Sequence, residues 1–501
     1  MFASFVQGIA TLVQPEVLLF LFLGTVIATF LGVIPVLGGA VGMTLMLPFI
    51  FGLDPAIALP FLLAIHAVSY TGGSVTAILM NIPGTMPNAA TCLDGYPMSQ
   101  KGEGGRAIGA SVVASVAGGI VTVPMALLMI PIVIPFVLMC RAPEMLFIII
   151  LGLCFLAVLT RGSVYKGLIS GALGILLASI GWQAITGVGR FTFGIVYLYD
   201  GLSLVDVVLA LFAVPAILEL SVKRQTIAPL NMKSVSDFGQ LMQGARDVLQ
   251  HKWLWFRSSV IGYIVGVIPG IGSFTSTFLA YGMAKQSSKN PEKFGTGCVE
   301  GVIAPESANN SKEAGSLLTT MAFGIPGSGV MAIMLAAFLM VGIQPGPSML
   351  IQHTDLCVTM LVALVVANLM AGVMVFFGAP QIIKITRVSY VYLFVIIVPI
   401  IFLGAFVWQG ALLDVFVLLI LGVVGVCIKR FGFSQPALLL GFVLGSLFEY
   451  YLWHSLDAYG KLFFLTPISM VLICIIIAVL NENAIRWLFL RWRQRRREKT
   501  S

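Results

Sequence analysis

The sequence predicts an all-α integral membrane protein with about 12 or more spans, two inverted-topology repeats and discontinuous, re-entrant helices. Three observations predict it. Hydrophobic residues make up 59% of the 501 residues and charged residues only 10%, with a mean hydropathy of +1.04. A water-soluble domain carries about 25% charged residues, so this chain lacks the means to solvate its own surface. Apolar runs of about 20 residues, each long enough to cross roughly 30 Å of hydrocarbon, recur from end to end. Finally, two proline-centred motifs occur in each half of the chain, in the same order.

The apolar runs fall near 16–34, 107–138, 143–160, 167–186, 203–221, 258–280, 313–343, 357–378, 388–407, 410–428, 434–452 and 463–480, and 40–80 is apolar but interrupted. Basic residues orient them. The longest polar connection, 222–257, carries Lys223, Arg224, Lys233, Arg246, Lys252 and Arg257, and cytoplasmic loops are the ones enriched in Lys and Arg. Arg161 to Lys166, Lys384 with Arg387, and Lys429-Arg430 fall on the same side when spans are counted off in pairs. Residues 1–100 contain no Lys or Arg, which suits an N-terminus facing out. The expected division is a first transmembrane half at 1–221, a cytoplasmic connection at 222–257, a second half at 258–485 and a basic cytoplasmic tail at 486–501.

That tail, with Arg486, Arg491, Arg493, Arg495, Arg496 and Arg497, holds much of the net charge of +8. It follows an apolar span directly, so it reads as a topological anchor beside the bilayer and not as a nucleic-acid surface. The seven cysteines are scattered with no CxxC pair, and His66, His251, His353 and His454 stand far apart. Neither a metal site nor a catalytic triad is expected from them. No basic n-region of a cleavable signal precedes the first apolar run.

The repeated motifs carry the functional expectation. Gly32-Val33-Ile34-Pro35-Val36-Leu37-Gly38 recurs as Gly266-Val267-Ile268-Pro269-Gly270-Ile271-Gly272, and Asn81-Ile82-Pro83-Gly84-Thr85 recurs as Gly324-Ile325-Pro326-Gly327-Ser328. Proline removes a backbone donor and glycine accepts positive φ, so each motif interrupts a helix. Such interruptions persist in a membrane only when buried in protein or lining a wet cavity. Pro35, Pro83, Pro269, Gly270 and Pro326 are the expected break points. Small polar residues surround them: Ser69 to Ser74 before Asn81, and Ser273, Thr275, Ser276 and Thr277 after Pro269. Ordinary kinks patched by hydroxyls are the plainer reading of any one of these. Half-helices starting at the breaks would aim positive dipole ends, each about half a charge, at a shared site. That could hold a carboxylate without an arginine, with Asn81, Gly84, Thr85, Gly327 and Ser328 as the substrate-binding set.

Pro305-Glu306-Ser307-Ala308-Asn309-Asn310-Ser311-Lys312-Glu313-Ala314-Gly315-Ser316 is strongly polar yet runs straight into the apolar stretch holding Gly324 to Ser328. A solvated loop is the plainer reading. An embedded carboxyl with two asparagines would instead suit Na⁺ or proton exchange, so Ser74, Glu306, Asn309 and Asn310 form the ion-binding or gating set. Asp206, Glu219, Asp414 and Glu449, in or beside other spans, read as interfacial or paired.

These segments resemble the large membrane subunit of the tripartite tricarboxylate transporter (TctA) family. The resemblance rests on Ser69-Tyr70-Thr71-Gly72-Gly73-Ser74, Asn81 to Thr85, Asp94-Gly95-Tyr96-Pro97, Phe294-Gly295, Glu300-Gly301-Val302, Pro305 to Asn310, Gly324 to Gly327 and Pro345-Gly346-Pro347. Val36 departs from it, standing where the family's first Pro-Gly has glycine. The resemblance implies a secondary carrier of the bacterial inner membrane. It would work with a small four-span membrane subunit and a periplasmic solute-binding protein, importing a tri- or dicarboxylate such as citrate by symport with Na⁺ or H⁺. No cofactor beyond that coupling ion is implied, and no P-loop appears. An anion-selective channel is the rival reading. A lipid-modifying membrane enzyme would need clustered catalytic groups that the sequence does not offer.

Overall fold

The structure, a computed structural model, describes residues 2–34, 37–158, 163–183, 187–222, 237–270, 272–385 and 390–481. The basic tail, Pro35, Val36, Ile271, Arg161, Lys223, Arg224, Lys233 and Arg387 lie outside the described residues. In chain order the helices are α1 (Phe2–Leu12), α2 (Pro15–Val33), α3 (Gly38–Met46), α4 (Pro55–Ala67), α5 (Ser69–Met80), α6 (Ala89–Gln100), α7 (Gly104–Leu138), α8 (Ala142–Val158), α9 (Val164–Ala178) and α10 (Leu204–Val208). A turn of π-helix, Leu209–Ala213, joins α10 to α11 (Val214–Val222). Then come α12 (Phe238–Gln250), α13 (Lys252–Val267), α14 (Gly272–Ser287), α15 (Glu300–Phe323), α16 (Met331–Met340), α17 (Pro347–Gln352), α18 (Thr354–Ile385), α19 (Tyr390–Gln409), α20 (Leu412–Arg430), α21 (Gln435–Tyr459) and α22 (Pro467–Leu480). Among the described residues six stretches are long and apolar enough to cross a membrane: Pro15–Val33, Pro55–Met80, Gly104–Leu138, Thr354–Ile382, Leu412–Arg430 and Gln435–Leu465. Shorter apolar helices accompany them.

The chain forms two compact units, one of Met1–Val137 with Leu202–Arg430 and one of Leu138–Gly201 with Phe431–Ser501. In the larger unit, helices approach through glycines. A Cβ on Gly32 of α2 would lie 2.1 Å from the Ser69 carbonyl of α5, and one on Gly266 of α13 would lie 2.2 Å from the Lys312 carbonyl of α15. Gly262 and Gly315 make the same kind of contact between α13 and α15. Where lipid supplies no hydrophobic drive, such backbone-to-backbone contact is what holds helices together. In the smaller unit Gly171, Gly174 and Gly441 do this between α9 and α21. There Arg190 grips both oxygens of Glu449 at 2.9 and 2.8 Å, so Glu449 is a paired residue.

Two apolar runs are not the single segments that hydropathy suggests. The run 258–280 is interrupted between Val267 and Gly272, and 313–343 is interrupted between Phe323 and Met331. Moreover, α15 begins at Glu300, thirteen residues (313 − 300) before the apolar run, because its N-terminal turns are polar and invisible to a hydropathy window. The solvated-loop reading of 305–316 is therefore wrong: every residue from Gly301 to Ala322 is buried helix. The two copies of each motif end their helices alike. Ile34 (φ −88°, ψ 113°) and Ile268 (φ −81°, ψ 116°) turn extended, each amide reaching back three residues to Leu31 and Val265. Asn81 (φ 55°, ψ 26°) and Gly324 (φ 65°, ψ 21°) both stop their helices in the left-handed conformation.

Candidate functional site

The polar residues of α15 sit at the centre of the larger unit. A carboxyl taken out of water must find donors, and Glu306, 0% exposed, finds four. Thr91 Oγ1 of α6 lies 2.5 Å from its Oε1, with Asn88 Nδ2 at 3.4 Å. Ser115 Oγ of α7 lies 2.7 Å from its Oε2, with Ser74 Oγ of α5 at 3.1 Å. Ser74 Oγ also faces the Tyr70 carbonyl at 3.0 Å, and its single hydrogen serves one acceptor at a time. Among the described residues no basic side chain forms an ion pair with Glu306.

Two turns further along α15 is a charged cluster. Glu313 Oε1 accepts from Lys312 Nζ at 2.7 Å, and its Oε2 lies 3.1 Å from His66 Nε2 of α4. Ser273 Oγ of α14 lies 3.2 Å from the Tyr70 hydroxyl and 3.4 Å from Glu313 Oε1, while Tyr70 reaches His66 Nε2 at 3.4 Å. The Lys312–Glu313 ion pair is fully buried, so its stability depends on this complete set of partners. Between the two centres, Asn310 Nδ2 donates to Asn368 Oδ1 of α18 at 2.5 Å and to Thr71 Oγ1 at 3.1 Å. Asn309, also 0% exposed, has neither Nδ2 nor Oδ1 hydrogen-bonded.

The structure thus brings Ser74 to Glu306 and puts Asn309 and Asn310 on the same buried helix. Each Ile-Pro-Gly turn packs on the helix before it. The Gly84 amide donates to the Gly73 carbonyl at 3.3 Å, and a Cβ on Gly84 would lie 2.1 Å from the Gly32 carbonyl. The Gly327 amide donates to Thr320 Oγ1 at 3.2 Å, and a Cβ there would lie 2.2 Å from Ser316 Oγ. Pro83 and Pro326 lie in these turns, and Pro269 with Gly270 (φ 80°) in the interruption before α14. Thr85 caps the helical turn Met86–Asn88, pairing with Asn88, and Ser328 Oγ accepts from the amide of Met331, the first residue of α16, at 3.4 Å. Asn81 is exposed. Among the described residues no hydrogen bond joins 81–85 to 324–328. A link does run across the motifs, since Thr277 Oγ1 of α14 donates to the Pro87 carbonyl at 3.1 Å.

Sequence reasoning passed over His66, Tyr70, Asn88, Thr91, Ser115, Lys312, Glu313 and Asn368. No other histidine lies near His66 in sequence, and its partner is a carboxylate from the other half of the chain. The Lys312-Glu313 doublet leading straight into an apolar run was the available signal. Nothing in the sequence points to Ser115 or Asn368, which are two of several scattered polar residues in long apolar helices.

Residues 18–440 match the family model described as the tripartite tricarboxylate transporter TctA family. An uncharacterized 52.8 kDa protein in the TAR-I ttuC' 3'region of Agrobacterium vitis is 32% identical over 486 residues, covering 94% of this chain and 95% of that protein. A second protein of that organism, from the TAR-II ttuC' 3'region, is 34% identical over 232 residues, 44% of this chain and 94% of its own length. No solved structure matches. With a multi-pass helical architecture and a family match over most of its length, this chain belongs to the tripartite tricarboxylate transporter TctA family, a family of transporter subunits.

Proposed function

We propose that the chain is the translocating subunit of a secondary symporter in the bacterial inner membrane, importing a small tri- or dicarboxylate with Na⁺ or H⁺. One observation carries the reading: α15 is long, strongly polar and buried from Gly301 to Ala322, with an embedded glutamate held by hydroxyls from α5, α6 and α7 and by an amide from the helical turn Met86–Asn88. Intramembrane ionisable groups of this kind mark ion and substrate pathways. Glu306 with Ser74 is the coupling-ion centre on this reading, and Asn310 joins it to α18.

The matched helix endings at Ile34 and Ile268, and at Asn81 and Gly324, support two inverted repeats, 1–221 and 258–485, joined by a cytoplasmic segment at 222–257. The about 12 spans, a periplasmic N-terminus and a cytoplasmic tail at 486–501 belong to the same reading. The breaks approach the solute through the side chains of Asn81, Thr85 and Ser328, with Gly84 and Gly327 giving the turns their close packing. Family membership supports a periplasmic solute-binding protein and a small four-span membrane subunit as partners.

The test is uptake by proteoliposomes holding the chain with both companion subunits, offered labelled citrate and succinate under imposed Na⁺ or proton gradients. Saturable uptake that follows one gradient is expected. Current that neither saturates nor needs a co-ion would make the protein an anion channel instead.

A further inference from the structure

Asn309, Lys312 and Ser316 stand at i, i+3 and i+7 on α15, which lines them up on one side of the helix over about 10 Å. All three are 0% exposed. Asn309 Oδ1 and Nδ2 and Ser316 Oγ have no hydrogen-bond partner. Lys312 spends one N–H on Glu313, and an ammonium has three. The contrast with Glu306, which satisfies both oxygens one turn earlier, is informative. A buried amide and hydroxyl left unpaired cost their full desolvation, and a helix needing only a counter-ion for Glu313 would carry apolar residues at 309 and 316. The stripe is also tied to both interruptions of its half. The Lys312 carbonyl is the close neighbour of Gly266, three residues before Pro269, and Gly327 presses on Ser316.

We propose that Asn309, Lys312 and Ser316 form the subsite for a carboxylate group of the transported solute, with Lys312 as its counter-charge. The ammonium, the Asn309 amide and the Ser316 hydroxyl donate to carboxylate oxygens. Asn309 Oδ1 accepts from a hydroxyl or a protonated carboxyl of the same molecule. This rests on the transport reading, and it moves recognition of negative charge from the backbone of the breaks to α15.

The test measures equilibrium binding of labelled citrate and succinate to the purified complex, alongside thermal unfolding without ligand. Asn309→Leu and Ser316→Ala remove groups that hold nothing in the fold. We expect unfolding temperatures at or above wild type and affinity at least about tenfold weaker, the loss of roughly one good hydrogen bond. The double variant Lys312→Met/Glu313→Gln removes both charges, so no unpaired ion is left behind. If Lys312 serves only Glu313, the double variant binds like wild type; the subsite requires it to stay weak. Wild-type-like affinity in all these variants, or loss of stability in Asn309→Leu and Ser316→Ala, overturns the subsite. Absence of carboxylate binding and uptake by the wild-type complex would instead overturn the transport reading beneath it.

Discussion

Ser74 Oγ lies 3.1 Å from Glu306 Oε2, joining residues 232 positions apart at the middle of the larger unit. The contact places the polar segment before the first Ile-Pro-Gly turn against the polar helix before the second. Around it the only hydrogen-bond donors to Glu306 among the described residues are neutral. A carboxylate without a counter-cation, sunk among helices, is stable only while hydroxyls and amides stand in for water, and it gains greatly from a proton or a bound cation. Hydroxyls suit both states, since each can donate to an ionised carboxylate or accept from a protonated one.

Glu306→Gln preserves shape and hydrogen bonding but cannot exchange a proton or carry charge. The complex should fold, with an unfolding temperature within about 5 °C of wild type, on the scale of 1–2 kcal/mol for a large chain. Gradient-driven uptake should fall at least about tenfold, equivalent to 1.4 kcal/mol. Full uptake with unchanged dependence on the coupling ion would remove Glu306 from the ion path.

Asn81 and Gly324 hold the same left-handed helix end, so glycine should serve at 81 as it does at 324. Asn81→Gly is expected to fold normally, whereas Asn81→Val should cost about 1–2 kcal/mol because a β-branched residue resists positive φ. Comparing the two separates cap from ligand. If the exposed Asn81 side chain meets the solute, Asn81→Gly raises the half-saturating carboxylate concentration while stability stays put; unchanged kinetics would assign Asn81 to the turn alone.

Gly84→Ala and Gly327→Ala test packing. Neither glycine has positive φ, but a methyl at 84 meets the Gly32 carbonyl at 2.1 Å and one at 327 meets Ser316 Oγ at 2.2 Å. Overpacking of this kind costs about 1–3 kcal/mol. Both should be destabilised, since the methyl at 327 also meets the Ser316 Cα at 2.5 Å and carbonyl at 2.7 Å, and backbone cannot yield as a hydroxyl can. Differential scanning fluorimetry in detergent would show it, and equal stability to wild type would mean that the helices sit further apart. Loss of transport in larger substitutions here says nothing about ligand contact.

Much of the fold was legible because membrane burial writes itself as apolar length: α2, α7, α18 and α20 each match an apolar run closely. The interruptions at Pro269 and Pro326 were legible because proline and glycine act on their own backbone. What remained hidden depends on tertiary context. Hydropathy leaves Glu300 to Lys312 outside the apolar runs, since it cannot tell a polar residue facing water from one facing another polar residue. His66 and Glu313 become partners only when α4 and α15 are packed, and Ser115 and Asn368 look like any hydroxyl or amide in an apolar helix.

Asp94 of the first half clasps the loop that leads into α15 of the second. Its Oδ1 accepts from the amides of Gly297 at 2.8 Å, Gly295 at 2.9 Å and Cys298 at 3.0 Å, and its Oδ2 from the Tyr281 hydroxyl at 2.9 Å. Gly295 (φ 89°) and Gly297 (φ 98°) bend the loop before α15 so that consecutive amides turn inward, a conformation that glycine alone adopts freely. Gly301 leaves room for the carboxyl, because a Cβ there would stand 2.0 Å from Oδ2. Asp94→Asn removes the negative charge from this ring of donors and turns an NH2 toward the Gly295 amide, which lies 3.0 Å from Oδ2, and charged hydrogen bonds are worth about 1.5–3 kcal/mol each. It should therefore lower the unfolding temperature by several degrees and loosen the loop 294–298, seen as faster amide hydrogen exchange there. Asp94→Glu should not rescue it, since the extra methylene must pass Gly301. If Asp94→Asn unfolds like wild type with the loop equally protected, the aspartate does not clasp α6 to the entrance of α15.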